Sequence, residues 1–343
     1  VRRGNIRPTV SLIITAHNEE TRIREKLENT LKLDYPRDGL QVLVASDCST
    51  DATDRIVEDF RPHGVELVRS PERRGKEAAQ QRAVAVSRGD VLVFSDAGTL
   101  LDTDALTTIV SSFADPTVGC VSSVDRILDN DGRVTGENAY VRYEMFLRSL
   151  ESRVNSLVGL SGSFFAARHE VSHPWRSDLQ SDFNTLLNSI RKGLRGVSDR
   201  ESIGYYRNIA SESQEFNRKV RTVVRGIAVF MNSLPLLNPA RYGLFAWQLV
   251  SHKLCRWLVP FFLTFALLAN GLLAFDSRFF FVLFWAQLAA YGVAVLYVLR
   301  GAAPRQRLLK IPYYFLIANA AILVAWYRFA KGERFAVWQP STR

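Results

Sequence analysis

Two stretches toward one end of the chain, Trp257–Phe275 (WLVPFFLTFALLANGLLAF) and Phe279–Leu299, contain no charged residue. A helix needs about 20 apolar residues to cross a bilayer core, and each stretch meets or approaches that length. Ile311–Tyr327 is a third, shorter run of the same kind. Three such runs in succession suit a membrane far better than the interior of a water-soluble domain. A transmembrane region of about three segments is therefore expected over residues 257–330, with a large head preceding it.

Basic loop charge sets the expected orientation. The loop Arg300–Lys310 (RGAAPRQRLLK) carries cations and no acid, which predicts the cytoplasmic side. Two crossings separate it from the head, so the head is also expected in the cytoplasm. The protein then reads as a multi-pass protein of the cytoplasmic, or bacterial inner, membrane. A third full crossing would put the basic tail 331–343 outside, against the same rule, and its side stays open. The basic juxtamembrane segment 1–7 (VRRGNIR) shows no signal-peptide pattern, and whether a further membrane helix precedes it is also open.

The chain of 343 residues has a formal net charge of +10. Such a balance suits nucleic acid, an anionic membrane surface or phosphorylated substrates. The cations gather around apolar segments and no nucleic-acid motif accompanies them, so nucleic acid is not an expected partner. Cys48, Cys120 and Cys255 are scattered and odd in number, which suggests neither a disulfide framework nor a metal cage.

Residues 8–212 read as an α/β domain. From Thr9 to about Asp125, apolar runs alternate with helical spacing: TVSLIITA, LQVLVAS, GVELVRS and VLVFSDA as strands. Between them Glu19–Leu33, Thr50–Phe60 and Gly75–Ser87 read as helices. Such repeats argue for a mainly parallel, Rossmann-like sheet with helices on both faces. Ligands then bind beyond the carboxyl ends of the strands, where TAHNEE, SDCSTD and SDAG fall. Further on, Tyr140–Asn155 and Leu179–Lys192 read as helices, with a glycine-serine turn entering a strand over Gly159–Ala167. In residues 213–256, Arg218, Arg221 and Arg225 form a basic stripe beside Val220, Val224 and Ile227, the pattern of an amphipathic membrane-interface helix. Leu244–Arg256 reads as a second interface helix.

Taken in order, TAHNEE, SDCSTDAT, RRGKEAA, VFSDAGTLLDTDAL, SDF and EFNRKVRTVVRG, followed by apolar helices, resemble the membrane-anchored family 2 glycosyltransferases of the GT-A fold. That branch includes cellulose, chitin, hyaluronan and poly-N-acetylglucosamine synthases and bacterial exopolysaccharide enzymes. The resemblance runs from about Pro8 to the tail and implies an inverting enzyme. Such an enzyme moves a sugar from a nucleotide donor, UDP-linked by resemblance, to a polysaccharide or lipid-linked acceptor at the inner membrane face. Membrane lipids and polysaccharide-export proteins are the further partners it implies. Transfer of a single sugar to a lipid carrier, and a catalytically degenerate sugar-nucleotide-binding subunit of an export complex, are the alternatives.

The resemblance also assigns roles. Asp47 reads the donor base, and Thr15, His17, Asn18 and Glu19 line the same pocket. Asp51 either belongs to that pocket or caps the following helix. Lys76, after Gly75 at a helix start, suits the donor phosphates. Asp96 is the first acid of the DxD motif, whose two carboxylates hold Mg²⁺ or Mn²⁺ against the diphosphate. The second acid is replaced by Gly98, with Asp102 and Asp104 nearby as helix-capping or assisting acids; one carboxylate with water and the diphosphate oxygens can still hold the ion, so divalent-metal use is expected, with a degenerate site as the alternative. Asp182 matches the general base, with Ser181 in place of the usual preceding acid. Gly162 and Ser163 approach the acceptor. Arg218 and Arg221 match the Gln and Arg of the QxxRW motif that helps hold the diphosphate, and Thr222 stands in place of its Trp. Gln81 replaces a usual Asn. His169 and His173 read as ordinary surface histidines.

Overall fold

The computed structural model describes residues 2–128, 134, 139–207, 212–301, 304 and 306–335. Most of the basic tail expected over 331–343, and part of the loop Arg300–Lys310, lie outside the described residues. The chain divides into two compact units. One is built chiefly from Val1–Ala210 and Val229–Gln248, the other from Ser211–Ala228 and Leu249–Arg334.

The first unit is organised by one eight-stranded sheet. Its strands are β1 (Val10–Ala16), β2 (Leu40–Ser46), β3 (Val65–Arg69), β4 (Val91–Asp96), β5 (Leu100–Leu101), β6 (Val118–Leu128), β7 (Phe164–Arg168) and β8 (Arg195–Arg207). They lie in the order β3-β2-β1-β4-β7-β6-β8-β5. The block β3-β2-β1-β4 is parallel. Beyond it the sheet is mixed: β7 runs antiparallel to β4 and β6, β8 parallel to β6, and β5 antiparallel to β8. The alternation of strand and helix predicts the parallel block; the mixed half is a property of the fold.

Residues alternate across each central strand, so both faces are covered. Leu12, Ile14, Val42, Val44, Val91 and Val93 share one core with Ile23 and Leu27 of α1 (Ile23–Leu31) and Val57 of α2 (Thr53–Asp59). Ile109 of α4 (Ala105–Ser111) joins them. Ile13, Leu43, Leu92 and Phe94 share the other with Ala79, Ala83 and Val84 of α3 (Lys76–Val86). Phe94 stacks on Phe165 at 4.7 Å and on Trp175 at 5.1 Å between ring centroids, closing this second face. Two further helices, α5 (Ala139–Val154) and α6 (Ser181–Arg191), complete the expected set. α1 starts four residues later than its periodicity predicts: residues 20–22 form a turn in which the Arg22 and Ile23 amides both bond the Glu19 carbonyl, and Arg22 at φ −127° precedes the first helical residue.

The second unit takes in most of α7 (Glu212–Met231), and after the short α8 (Pro239–Tyr242) and α9 (Leu244–Leu249) comes a π turn, Val250–Leu254. Then follow α10 (Cys255–Leu273), α11 (Arg278–Leu299) and α12 (Arg307–Ala330). Three helical stretches, Leu244–Leu273, Arg278–Leu299 and Leu309–Ala330, are long and apolar enough to cross a bilayer. Some half-buried polar groups between them find hydrogen-bond partners there, as a medium without water favours. Gln287 Nε2 donates to the Leu263 carbonyl at 3.0 Å and to Tyr291 at 2.6 Å. The Trp326 indole N–H donates to the Trp257 carbonyl at 3.0 Å. Phe265, Leu268, Leu272, Val282 and Trp285 stay exposed, the disposition of lipid-facing side chains. Gly226 of α7 lies against Trp257, where an added Cβ would stand 3.0 Å from the ring.

Candidate active site

The register of the parallel block sets the floor of the site. Thr15 lies opposite Ala45 and Asp96, and Ala16 opposite Ser46, so β1, β2 and β4 end at one edge. The loops that leave this edge are tied to one another. The Asp47 amide donates to the Ala16 carbonyl at 2.9 Å. His17 Nδ1 lies 2.7 Å from the Asp47 carbonyl; a carbonyl only accepts, so Nδ1 carries the proton. Asn18 and Cys48 both adopt left-handed φ, 52° and 53°. The Asn18 side-chain oxygen accepts from the Thr50 amide at 2.8 Å. The Glu19 amide donates to Thr53 Oγ1 at 2.8 Å.

Asp51 joins this bracing. It accepts from the Thr53 amide at 2.9 Å, the Thr53 hydroxyl at 2.5 Å and the Glu20 amide at 3.1 Å. Burial pushes its pKa up, but the Thr53 and Glu20 bonds outweigh burial and hold it below the ordinary value. These contacts tie the β1 and β2 loops together just ahead of α2, whose cap residue is Ala52. Thr15 contrasts with its neighbours: its hydroxyl is buried and has no hydrogen-bond partner among the described residues.

Asp47 is buried, and both carboxylate oxygens accept backbone amides, from Arg74 at 2.9 Å and Gly75 at 2.8 Å. That grip fixes the start of α3. Gly75 has φ 98° and ψ 169°, a conformation open to glycine and strained for any side chain. The next residue, Lys76, reaches across the strand ends. Its ammonium pairs with Asp96 and donates to the Gly162 carbonyl at 2.9 Å.

Gly162 in turn touches Asp182. A Cβ at Gly162 would stand 3.0 Å from Asp182 Oδ2, so the carboxylate lies directly on the backbone of the glycine turn. Asp182 sits in the first turn of α6, accepting from the Phe183 amide at 2.7 Å and from Gln180 Nε2 at 3.1 Å. A continuous series of contacts therefore runs from Asp47 through Gly75 and Lys76 to Asp96 and Gly162, and on to Asp182. Three acids far apart in sequence are brought into one neighbourhood.

Two residues here escape sequence reading. Asp125, on β6, is half-buried and accepts from Ser161 at 2.7 and 2.8 Å and from Ser163 at 2.5 Å. Burial raises its pKa; the two serine hydroxyls and Arg148 oppose the rise, and Asp96 adds to it. The Ser163 hydroxyl is thus engaged in holding Asp125, while its carbonyl accepts from the Asp96 amide at 3.0 Å. Lys26 lies on the buried face of α1 with Ile23, Leu27 and Thr30. Its ammonium donates to Ser95 Oγ at 2.8 Å and to the Thr99 carbonyl at 2.6 Å, gripping both ends of the turn that holds Asp96 and Gly98. Burial lowers its pKa to about 7 against the opposing pull of Asp96. The available signal was a lysine spaced among apolar positions of one helical face.

Of the carboxylate pair that the DxD resemblance assigns to a divalent ion, this chain keeps one, Asp96. Gly98 offers no side-chain ligand, and Asp96 is already paired with an ammonium. No group of three or more His, Cys, Asp or Glu capable of holding a metal occurs among the described residues. Asp102 accepts from the Tyr205 hydroxyl at 3.2 Å, and Asp104 precedes α4 as its cap residue. His169 and His173 stack, their Nε2 atoms 3.1 Å apart, as a surface pair. Arg218 and Arg221 belong to the second unit. Arg218 forms a two-pronged pair with Glu215 at 2.8 Å within α7. The Arg221 pKa is lowered by burial and by the charges of Arg225 and Arg218.

Residues 11–173 match the family model described as glycosyl transferase family 2. The poly-beta-1,6-N-acetyl-D-glucosamine synthase of Staphylococcus epidermidis is 24% identical over 178 residues, 50% of this chain and 42% of that protein. The beta-monoglucosyldiacylglycerol synthase of Synechocystis is 34% identical over 118 residues, 33% of this chain and 25% of that protein. The matches thus span 25% to 42% of the length of these curated relatives. Among solved structures, a mannosyltransferase of Pyrobaculum calidifontis in complex with GDP-Man and Mn²⁺ superposes with a TM-score of 0.71. It is 24% identical, with 96% of this chain and 89% of that one covered, a likeness of fold that extends through the C-terminal helices.

Proposed function

From the premise that this chain is a glycosyltransferase carrying a family 2 domain over residues 11–173, we infer that it transfers a sugar with inversion from a nucleotide-sugar donor. The donor is UDP-linked and the acceptor is a growing polysaccharide or a glycolipid at the inner face of the cytoplasmic membrane. One observation carries the reading: the contact series that links Asp47, Lys76, Asp96, Gly162 and Asp182 at the carboxyl edge of the parallel strands.

The chemistry follows from those positions. The donor base lies over the β1 and β2 loops, with Thr15, His17, Asn18, Glu19, Asp47 and Asp51 as its bed. The unsatisfied Thr15 hydroxyl is the group there most in need of a ligand partner. The acceptor hydroxyl, beside the Gly162–Ser163 turn, gives its proton to the Asp182 carboxylate as its oxygen attacks the anomeric carbon. The bond from that carbon to the diphosphate breaks on the opposite face, and its electron pair leaves on the phosphate oxygen. An α-linked donor then gives a β-linked product. The resemblance adds Arg218 and Arg221 as phosphate ligands, an assignment tested by comparing donor KM in Arg221→Ala and Arg225→Ala.

The test is a screen of UDP- and GDP-sugars on the full chain in detergent or nanodiscs, reading nucleoside diphosphate release and glycosylated product. Asp182→Asn should lower kcat by roughly 10²- to 10⁴-fold, the usual worth of a positioned base, with nucleotide binding kept. Retention of transfer by Asp182→Asn would remove the base from the proposal. Absence of any transfer by the natural chain would favour the degenerate-subunit alternative that Gly98 raises. Thr222 favours single-sugar transfer over polymerisation, because it offers no aromatic platform and its hydroxyl bonds back to the Arg218 carbonyl at 2.9 Å. One glycolipid product against a ladder of oligomers separates the two.

A further inference from the structure

We propose that this enzyme holds and discharges the donor diphosphate with the Lys76 ammonium, in place of a resident divalent cation. The inference rests on the nucleotide-sugar reading above and changes the electrophile that serves it. A small hard divalent ion is held by one or two carboxylates together with substrate phosphates and waters. Only Asp96 remains at the DxD position, since Gly98 contributes nothing. The place beside the Asp96 carboxylate is taken by the Lys76 ammonium. A dication there would face that ammonium at contact distance in a partly desolvated pocket, where like charges repel strongly.

The lysine is arranged for the part. An ammonium has three N–H donors and no acceptor. Two are directed by the protein, one to Asp96 and one to the Gly162 carbonyl at 2.9 Å. Among the described residues the third has no partner, which leaves it for a phosphate oxygen. Asp96 and Gly162 thus act as positioning groups for Lys76, and the grip of Asp47 on Arg74 and Gly75 fixes the backbone from which the side chain springs. As the glycosidic bond to the diphosphate breaks, the electron pair settles on a phosphate oxygen facing that third N–H.

Lys26 supports the same conclusion independently. In a metal site the ion itself gathers the DxD turn. Here a buried amine bonds Ser95 Oγ and the Thr99 carbonyl, at the two ends of that turn, and shapes it from beneath.

The experiment is calorimetric titration of the full chain in detergent with UDP and with GDP, in EDTA and then in Mn²⁺, for the natural sequence and for Lys76→Gln. The expected result is binding of one nucleotide in EDTA, with Kd within about threefold of its value in Mn²⁺, and at least a tenfold weaker Kd in Lys76→Gln. Electron paramagnetic resonance of Mn²⁺ should show no ion retained by the nucleotide-free protein. Binding lost in EDTA and restored by Mn²⁺ would overturn the proposal and leave the nucleotide-sugar reading intact. So would a Lys76→Gln variant that folds, by its circular dichroism, and binds as before. No binding of either nucleotide under both conditions would overturn the donor reading, and this proposal with it.

Discussion

Replacing Gly162 by alanine tests the base assignment most directly. The added Cβ would stand 3.0 Å from Asp182 Oδ2, against a comfortable carbon–oxygen separation of roughly 3.4 Å or more. Either the carboxylate or the turn must give by a few tenths of an ångström. Misplacing a reacting group by 1 Å costs about 10²-fold, so a shift of this size should lower kcat roughly three- to tenfold, or about 0.7–1.4 kcal/mol in the barrier. Nucleotide release under single-turnover conditions, with the donor in excess, isolates that step. The double variant with Asp182→Asn decides how the loss arises. If the methyl acts through the carboxylate, Gly162→Ala costs nothing further once Asp182 is gone. An unchanged kcat in the single variant, or a loss that adds fully to that of Asp182→Asn, would refute the argument that these two residues form one catalytic contact.

Two further outcomes are expected. Lys26 has its pKa lowered from 10.5 to about 7, so between those values the unfolded chain binds the proton that the folded chain sheds, and stability rises with pH. The melting temperature of the natural chain should therefore climb relative to that of Lys26→Met as pH is raised from 7 toward 10; parallel curves would contradict it. Gly75→Ala forces a side chain to φ 98° at a cost of roughly 1–3 kcal/mol. It should weaken nucleotide binding through Lys76 more than it lowers the melting temperature, which calorimetry and thermal denaturation together would measure.

Much of the site was legible because parallel central strands leave a simple trace: unbroken apolar runs that stop at polar turns. β1, β2 and β4 show it, and their ends hold Asp47 and Asp96. The apolar helices were plain for the same reason, since composition alone carries the signal. β6 and β8 left no such trace. Each interrupts its apolar residues with polar ones, Ser122, Ser123 and Asp125 in β6 and Asp199 in β8, whose partners come largely from distant segments. Asp125 is explained only by Ser161 and Ser163, and Lys26 only by the turn after β4. Pairings between residues 36 to 73 positions apart have no local pattern to announce them. Asp47 shows the converse: its place at a strand end was readable, but its hold on two amides of the β3–α3 loop was not.

The mutual bracing of the β1 and β2 loops has a consequence for recognition. Each loop supplies the other's hydrogen-bond partners, through Asn18 with Thr50, Glu19 with Thr53 and Glu20 with Asp51. The conformational entropy of these segments is therefore surrendered when the domain folds, and an incoming nucleotide need not order them. Such a cradle favours rapid, shape-selective capture over closure around the guest. It also couples the two loops genetically: an insertion in either would unseat both, so variation in donor preference should arise by exchange of side chains within a fixed outline.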